Sequence, residues 1–217
     1  MQEHFSDRPE AAVVVTGSEL LRAEITDQNG PLLARELASL GLLCRRITIV
    51  GDDAALLEAA IKDGLEADLC LISGGLGPTH DDRTIELLAR VTGKKLSVDP
   101  GLERAIDLVG RRYARNVGSI YHAYEEGVRK QASIPDGAHV LGLAGTAPGV
   151  ALDLDGRVAI ALPGPPYELQ KLWPAALEST PLKRLLERVP PFETRTLRFY
   201  GLSESMLAAA LENAGGD

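Results

Sequence analysis

Short apolar runs alternate with leucine-spaced segments through the first hundred residues, and this rhythm sets the fold expectation. Ala11 to Thr16 (AAVVVT) is apolar and β-branched up to Gly17, the pattern of a strand buried on both faces. From about Gly30, Leu33, Leu37 and Leu40 fall at helical spacing, with Pro31 near the first turn and Gly41 as the stop. Arg46 to Val50 predicts a second strand. Leu56, Leu57, Ala60, Ile61 and Leu65 predict the helix after it, with Asp52 as its N-cap. Asp68 to Ser73 predicts a third strand, which feeds into Gly74-Gly75-Leu76-Gly77-Pro78-Thr79. Ile85, Leu88 and Val91 then mark one face of a helix that Gly93 ends.

Such alternation predicts a mostly parallel sheet with helices on both faces, a three-layer α/β/α sandwich. Pro100 to Ala114 adds another helix, while Asn116 to Gln131 shows no clear period. Val150 to Leu154 and Arg157 to Leu162 flank Asp155-Gly156, a strong hairpin signal, so antiparallel strands join the sheet. Leu162-Pro163-Gly164-Pro165-Pro166 is a rigid turn into a helix bearing Leu169, Leu172 and Trp173. Pro181 to Pro191 reads as helix and linker, Thr194 to Tyr200 as a strand, and Ser203 to Leu211 as a capped helix. The expected division is an arm over 1–10, an α/β domain over 11–178, and a linker with the opening of a small α+β unit over 179–217. That last piece is below the ~40 residues needed to fold alone.

Composition narrows the class. The 217 residues are 45% hydrophobic and 25% charged, ordinary for a globular protein, and only 4% aromatic, so the core must be aliphatic. No window approaches the ~18 apolar residues of a membrane span. The polar start, with Asp7, Arg8 and Pro9, is unlike a signal peptide, and a cytoplasmic location is expected. Cys44 and Cys70 fit no metal or CxxC spacing and read as reduced, buried thiols. A net charge of −8 argues against nucleic-acid binding. Arg104, Arg111, Arg112, Arg115, Arg129 and Lys130 nevertheless crowd mid-chain. They form either a solvated face balanced by Glu103, Asp107, Glu125 and Glu126, or local help for an anionic ligand.

Ligands of parallel α/β sheets bind beyond the carboxyl ends of the strands. Three such ends carry polar or glycine-rich sequence: Thr16-Gly17-Ser18-Glu19, Gly51-Asp52-Asp53 and Ser73-Gly74-Gly75. The stretch Ser73 to Thr79 is neither a Walker A loop nor a full dinucleotide fingerprint. It is either a tight turn or an anion cradle whose glycines permit close backbone approach. Asp81 and Asp82 open the next helix. Thr79-x-x-Asp82 matches a capping box, and the helix dipole favours acids there. Alternatively, two carboxylates beside a phosphate cradle call for a divalent cation with hard oxygen ligands. Asp52 offers the same choice, capping its helix or facing Asp82. His80 sits beside these acids. Gly145-Thr146-Ala147-Pro148-Gly149 and Pro163 to Glu168 are either turns or a second wall of the same cleft, with Thr146 toward the ligand.

Together these stretches resemble the CinA (competence- and damage-inducible protein A) family and, more widely, the molybdenum-cofactor biosynthesis fold. The resemblance rests on Thr16 to Leu21, Asp27-Gln28-Asn29, Val50-Gly51-Asp52, Gly74 to Thr84, Lys130-Gln131-Ala132, Gly145 to Gly149 and Leu162 to Glu168, in order along about residues 11 to 178. It implies a self-associating domain with a site beside the Gly-Gly-x-Gly loop, where Asp52 and Asp82 match two functional acids. It further implies metal-dependent hydrolysis of a pyrophosphate bond. Relatives often continue into a small α+β domain and an amidase domain, and amidase activity is not carried over to this chain. Two asparagines typical of the family are missing, before Lys130-Gln131-Ala132 (Gly127-Val128-Arg129 here) and before Gly145 (Leu143-Ala144 here). Lost amides weaken ligand contacts or change the substrate.

The leading expectation is a divalent-metal-dependent pyrophosphatase of ADP-ribose or related dinucleotides, using Mg²⁺, Mn²⁺ or Co²⁺. Asp52 and Asp82 would be catalytic, and Asp81 with Asp82 would hold the metal. Gly17, Ser18, Glu19, Asp27, Ser73, Gly74, Gly75, Gly77, Thr79, Lys130, Gly145, Thr146, Pro163 and Gly164 would contact the ligand. The alternatives are pterin binding with adenylyl transfer, and a non-catalytic nucleotide-binding module. The expected partners are a nucleotide or pterin and further copies of the chain, with neither nucleic acid nor membrane.

Overall fold

The computed structural model of the chain describes residues 8–117, 125–192 and 198–214. The elements in order are β1 (Glu10–Thr16), α1 (Ser18–Leu21), α2 (Asn29–Ser39), β2 (Leu43–Val50), α3 (Ala54–Gly64), β3 (Leu69–Ser73), α4 (Thr84–Thr92), β4 (Leu96–Val98) and α5 (Pro100–Val117). There follow α6 (Glu125–Ala132), β5 (Ser133–Pro135), β6 (His139–Ala144), β7 (Ala147–Leu154), β8 (Arg157–Leu162), α7 (Pro166–Glu178), α8 (Thr180–Leu186) and α9 (Glu204–Asn213).

Six strands form one sheet in the order β2-β1-β3-β8-β7-β6. β1 pairs parallel with β2 and β3, and β3 pairs parallel with β8. β7 pairs antiparallel with both β8 and β6, so β7 alone runs against the other five. This direction matters for function. The carboxyl ends of β1, β2, β3, β6 and β8 all open on one edge of the sheet, and β7 begins there. The Asp155-Gly156 hairpin forms as expected, with φ of 54° and 96° at its two central residues, the left-handed pair that suits the twist of the strands.

The sheet is buried on both faces, which is why its central strands carry unbroken apolar runs. Ala11, Val13 and Val15 of β1, Leu69 and Leu71 of β3, and Val158, Ile160 and Leu162 of β8 join one core with Leu33, Leu37, Leu169, Leu172 and Trp173. The intervening Val14, Cys70, Ile72, Ala159 and Ala161 join a second core with Leu57, Ile61, Leu87, Leu88 and Ile106. Alternate side chains thus feed alternate layers. The indole N–H of Trp173 also donates to Glu36 at 2.9 Å, tying α7 to α2.

Several expectations change. Asp53, not Asp52, caps α3, its carboxylate accepting the N–H groups of Ala55 (3.0 Å) and Leu56 (2.9 Å). Asp81 and Asp82 do not open a helix, because α4 starts only at Thr84, whose hydroxyl and N–H are bound to Gly74 and Gly75. The short β4–β5 ladder and the edge strand β6 are additions. The packed unit runs past 178, since Leu182 and Leu185 of α8 are in the first core. Of the strand expected over Thr194 to Tyr200, residues 194–197 lie outside the described residues and 198–200 form no regular element. α9 forms with Ser203 as its cap and buries none of its residues. Among the described residues no helix is long and apolar enough to cross a membrane.

Candidate functional site

The loops at the carboxyl edge enclose a cleft of about 500 Å³. Its floor begins at the end of β3. Gly74 has φ +107°, and a Cβ there would lie 2.4 Å from the carbonyl oxygen of Thr16. Gly75 has φ +64°, and a Cβ would lie 2.4 Å from Thr84 Oγ1. Only glycine satisfies both backbone and space at these two positions. Thr84 Oγ1 donates to the Gly74 carbonyl (2.8 Å), and the Thr84 N–H to the Gly75 carbonyl (3.1 Å), so α4 anchors the loop.

The neighbouring ends are joined to this floor by side chains. Ser73 Oγ donates to the Pro163 carbonyl (3.1 Å) and accepts from Asn29 Nδ2 (2.9 Å), which also donates to the Gly164 carbonyl (2.6 Å). Asp27 Oδ1 accepts from the N–H groups of Asn29 (2.9 Å) and Gly30 (3.0 Å), capping α2 from below. Gln131 Nε2, from α6, donates to the Leu76 carbonyl (3.0 Å) and to Thr146 Oγ1 (3.4 Å), spanning from the glycine loop to the β6–β7 turn. The Ser18 N–H donates to Asp52 Oδ2, fixing the end of β1 to the end of β2.

Asp82 Oδ2 accepts the Thr79 N–H at 3.0 Å, while the Thr79 hydroxyl reaches both Asp81 Oδ1 and Asp82 Oδ2. One hydroxyl proton serves only one of them at a time. The Thr79 hydrogen bond is the first cause that holds the Asp81 carboxyl below its ordinary range. The Thr79–Asp82 turn therefore resembles half of a capping box, but it precedes the helix instead of starting it.

Gly17, Glu19, Asp27, Asp52, Gly74, Gly75, Gly77, Asp81, Asp82, Thr146, Pro163 and Gly164 all line the one cleft. Ser18, Ser73, Thr79 and Gly145 do not line it; the first three hydrogen-bond the lining residues Asp52, Asn29 and Asp82. Lys130 stands apart. It lines a smaller cavity of about 190 Å³ on the other side of the glycine loop, and its amine donates to the Thr79 carbonyl. Burial there pushes the Lys130 amine below its ordinary range, against the opposing pull of Asp82 and Asp81. The arginine cluster is also elsewhere: Arg104, Arg111 and Arg129 line a separate surface cavity with Glu103, Asp107, Glu125 and Glu126. His80 is 99% exposed and does not line the cleft, and its Nδ1 lies 3.9 Å from Asp81 Oδ1.

Asn29 and Gln131, both polar and nearly buried, were not singled out in the sequence, whereas Glu168 closes the stretch Pro163 to Glu168 expected as a second wall of the cleft. Glu168 accepts from the Tyr167 hydroxyl at 2.8 Å. Asn29 and Gln131 do fall inside stretches that carry the family resemblance, and that was their only signal. With them the charge of the cleft becomes plain. Glu19, Asp27, Asp52, Asp81, Asp82 and Glu168 line it, and among the described residues no lysine or arginine does.

A family model described as "Probable molybdopterin binding domain" matches residues 12–183, the span of the sheet and its flanking helices. The chain belongs to this family. A CinA-like protein of Mycolicibacterium gilvum is 42% identical over 209 residues, covering 95% of this chain and 49% of that protein. One from Mycobacterium tuberculosis is 40% identical over 212 residues, covering 94% and 49%. The chain thus spans about half the length of the relatives it matches. Among solved structures, a protein CinA of unknown function from Thermoplasma acidophilum is similar at 32% identity and TM-score 0.66, covering 78% of this chain and 96% of that one. The molybdopterin biosynthesis enzyme MoaB of Thermus thermophilus shares the fold at 21% identity and TM-score 0.51, covering 85% and 99%. In this chain the cleft lies at the strand ends, where doubly wound sheets bind ligands.

Proposed function

We propose that this domain binds a nucleotide through its pyrophosphate in the carboxyl-edge cleft and hydrolyses that bond, with ADP-ribose or a related dinucleotide as substrate class. The observation that carries the reading is the charge of the cleft: six carboxylates around a glycine loop suited to phosphate, with no lysine or arginine among the described residues that line it. A bare phosphate is repelled there, and a phosphate that arrives with a divalent cation is not.

The residues fit such a cation in a particular way. Among the described residues no three His, Cys, Asp or Glu side chains form a ready ligand set. Mg²⁺-type sites commonly use one or two carboxylates and fill the rest with water and substrate phosphate. Asp81 and Asp82, adjacent and held by Thr79, would be that pair. When bound there, a divalent cation supplies polarisation of a phosphoryl oxygen and a more acidic water. The chain's own groups do the rest. The Gly74 N–H is spent on the Leu162 carbonyl, so the backbone N–H groups of Gly75, Leu76 and Gly77 orient the phosphates, Gln131 and Thr146 hold the loop in register, and Asp52 is a base facing the same space.

Incubation with ADP-ribose, FAD and other dinucleotides, with and without Mg²⁺, Mn²⁺ or Co²⁺, tests this directly. ADP-ribose plus water should give AMP and ribose 5-phosphate only with metal. Absence of product from every pair would overturn the catalytic reading. The family match favours pterin binding in the same cleft, and the second reading adds adenylyl transfer to it. Saturable quenching of neopterin fluorescence, displaced by no nucleotide, would support it. Nucleotide binding without turnover would instead leave a non-catalytic module. Self-association, which the family resemblance implies, is proposed alongside and is checked by light scattering.

A further inference from the structure

Asn29 is only 4% exposed, lines the cleft, and its Oδ1 is a buried oxygen with no hydrogen-bond partner. Its amide cannot turn over to relieve this. Nδ2 donates to the Gly164 carbonyl at 2.6 Å, and reversing the amide would set oxygen against oxygen. Ser73 locks the same choice. Its hydroxyl proton goes to the Pro163 carbonyl at 3.1 Å, so Ser73 Oγ is left as the acceptor of the second Nδ2 proton at 2.9 Å. Both donors of the amide are therefore spent on the protein and its acceptor is spent on nothing. Buried acceptors without partners are rare in folded proteins and costly to keep.

We infer that Asn29 Oδ1 is the acceptor for a neutral N–H or O–H donor of the bound ligand, and so selects the part of the ligand that is not phosphate. The inference rests on the proposed binding of a nucleotide-type ligand in this cleft and adds which chemistry the Asn29 wall reads. An ionised phosphate offers acceptors only and cannot satisfy Oδ1. The groups that can are sugar hydroxyls and the amino or ring N–H groups of a heterocycle. Asp27, whose Oδ1 caps α2 immediately beneath Asn29, adds another acceptor to this wall. The cleft is thus divided: backbone donors from Gly75 to Gly77 toward phosphate, and side-chain acceptors around Asn29 toward a donor-bearing ring or sugar. A site that hydrogen-bonds a ligand donor discriminates strongly against an analogue lacking it, because the protein group is then stranded.

The test is a calorimetric titration with Mg²⁺ of the methylene-bridged, non-hydrolysable analogue of ADP-ribose. Derivatives of it lack either a single sugar hydroxyl or the adenine amino group, and each is measured against wild type and Asn29→Ala. One derivative should bind wild type about tenfold or more weaker than the parent, and that deficit should vanish in Asn29→Ala. Which derivative shows it distinguishes sugar hydroxyl from base amine. Equal deficits in both proteins for every derivative would overturn the inference while leaving nucleotide binding intact. No binding of the parent to wild type would overturn the functional reading and this inference with it. A crystal structure of the wild-type complex supplies a test independent of folding in the variant: a ligand nitrogen or oxygen within ~3.2 Å of Oδ1 is expected. A water retained at Oδ1 in that complex would overturn the inference.

Discussion

Ser18 and Asp52 form a reciprocal pair: the Ser18 N–H donates to Asp52 Oδ2, and the Asp52 N–H donates to Ser18 Oγ, each at 3.1 Å. The two strand ends are stitched by both backbones and both side chains, and Asp52 still lines the cleft. Asp52→Asn keeps an oxygen for the Ser18 N–H, so stability should change by less than ~0.5 kcal/mol. Metal-dependent turnover should nevertheless fall at least about tenfold if the carboxylate serves as a base. Ser18→Ala removes only the half of the stitch that uses Oγ and should cost about 1 kcal/mol in a urea melt. Equal turnover in Asp52→Asn and wild type would assign Asp52 to the stitch alone.

Asp82 separates turn chemistry from catalysis in the same way. The Thr79 N–H bond at 3.0 Å survives in Asp82→Asn through the amide oxygen, so at most ~1 kcal/mol of stability is expected to go. Turnover should drop by two or more orders of magnitude, roughly 3 kcal/mol of transition-state stabilisation. Parallel measurement of denaturant midpoint and initial rate checks both halves. A rate that follows stability would make Asp82 a turn residue.

The glycine loop gives a paired prediction. Gly74→Ala forces a methyl group to within 2.4 Å of the Thr16 carbonyl oxygen at φ +107°, where backbone must move. A loss of roughly 2–4 kcal/mol and of ligand binding is expected. Gly93, which ends α4 at φ +66° with nothing within 4 Å of a Cβ, carries only the backbone penalty. Gly93→Ala should cost about 1 kcal/mol and leave ligand affinity unchanged. Similar thermal shifts for the two would contradict the close contact.

The parts of this fold that were legible in the sequence are those written in local periodicity. The strand at Val13–Val15, the leucine face of α2 and the Asp155-Gly156 hairpin each announce themselves within a few residues. β6 did not, because Gly142, at φ +113°, breaks its alternation where the pairing with β7 slips. β4 and β5, three residues each, are too short to show a period. Neighbouring aspartates hid the cap of α3, since Asp52 and Asp53 are equivalent until the backbone chooses between them. The polar cleft residues were hidden for a different reason. Asn29 finds partners 44 and 135 residues away, a relationship no window of sequence contains.

Removing residues 198–217 should leave the melting temperature almost unchanged, because α9 buries nothing. A cut at residue 179 removes Leu182 and Leu185, 0% and 2% exposed, and should cost several kcal/mol at roughly 2–5 kcal/mol per deleted core leucine. Calorimetry on the two truncations distinguishes a tail from a core element.

Burial pushes the Cys70 thiol from 9.0 up to about 12. Its folded pKa lies above its unfolded value, so the contribution to stability is complete below about pH 9 and is lost as pH rises toward 12. Cys70→Ala should flatten that alkaline limb. In native protein at pH 8, the partly buried Cys44 should react with a thiol reagent before Cys70 does. Faster labelling of Cys70 would show that β3 opens locally.

The ring of acids also governs how a ligand arrives. Most enzymes that handle phosphates draw them in, and added salt slows the encounter by screening the attraction. Here a metal-free nucleotide approaches six carboxylates that repel it, over a screening distance of about 8–10 Å at ordinary ionic strength. Its association rate should therefore climb with salt. Once magnesium has neutralised the nucleotide, that dependence should flatten, so the sign of the salt effect reports which species enters the cleft.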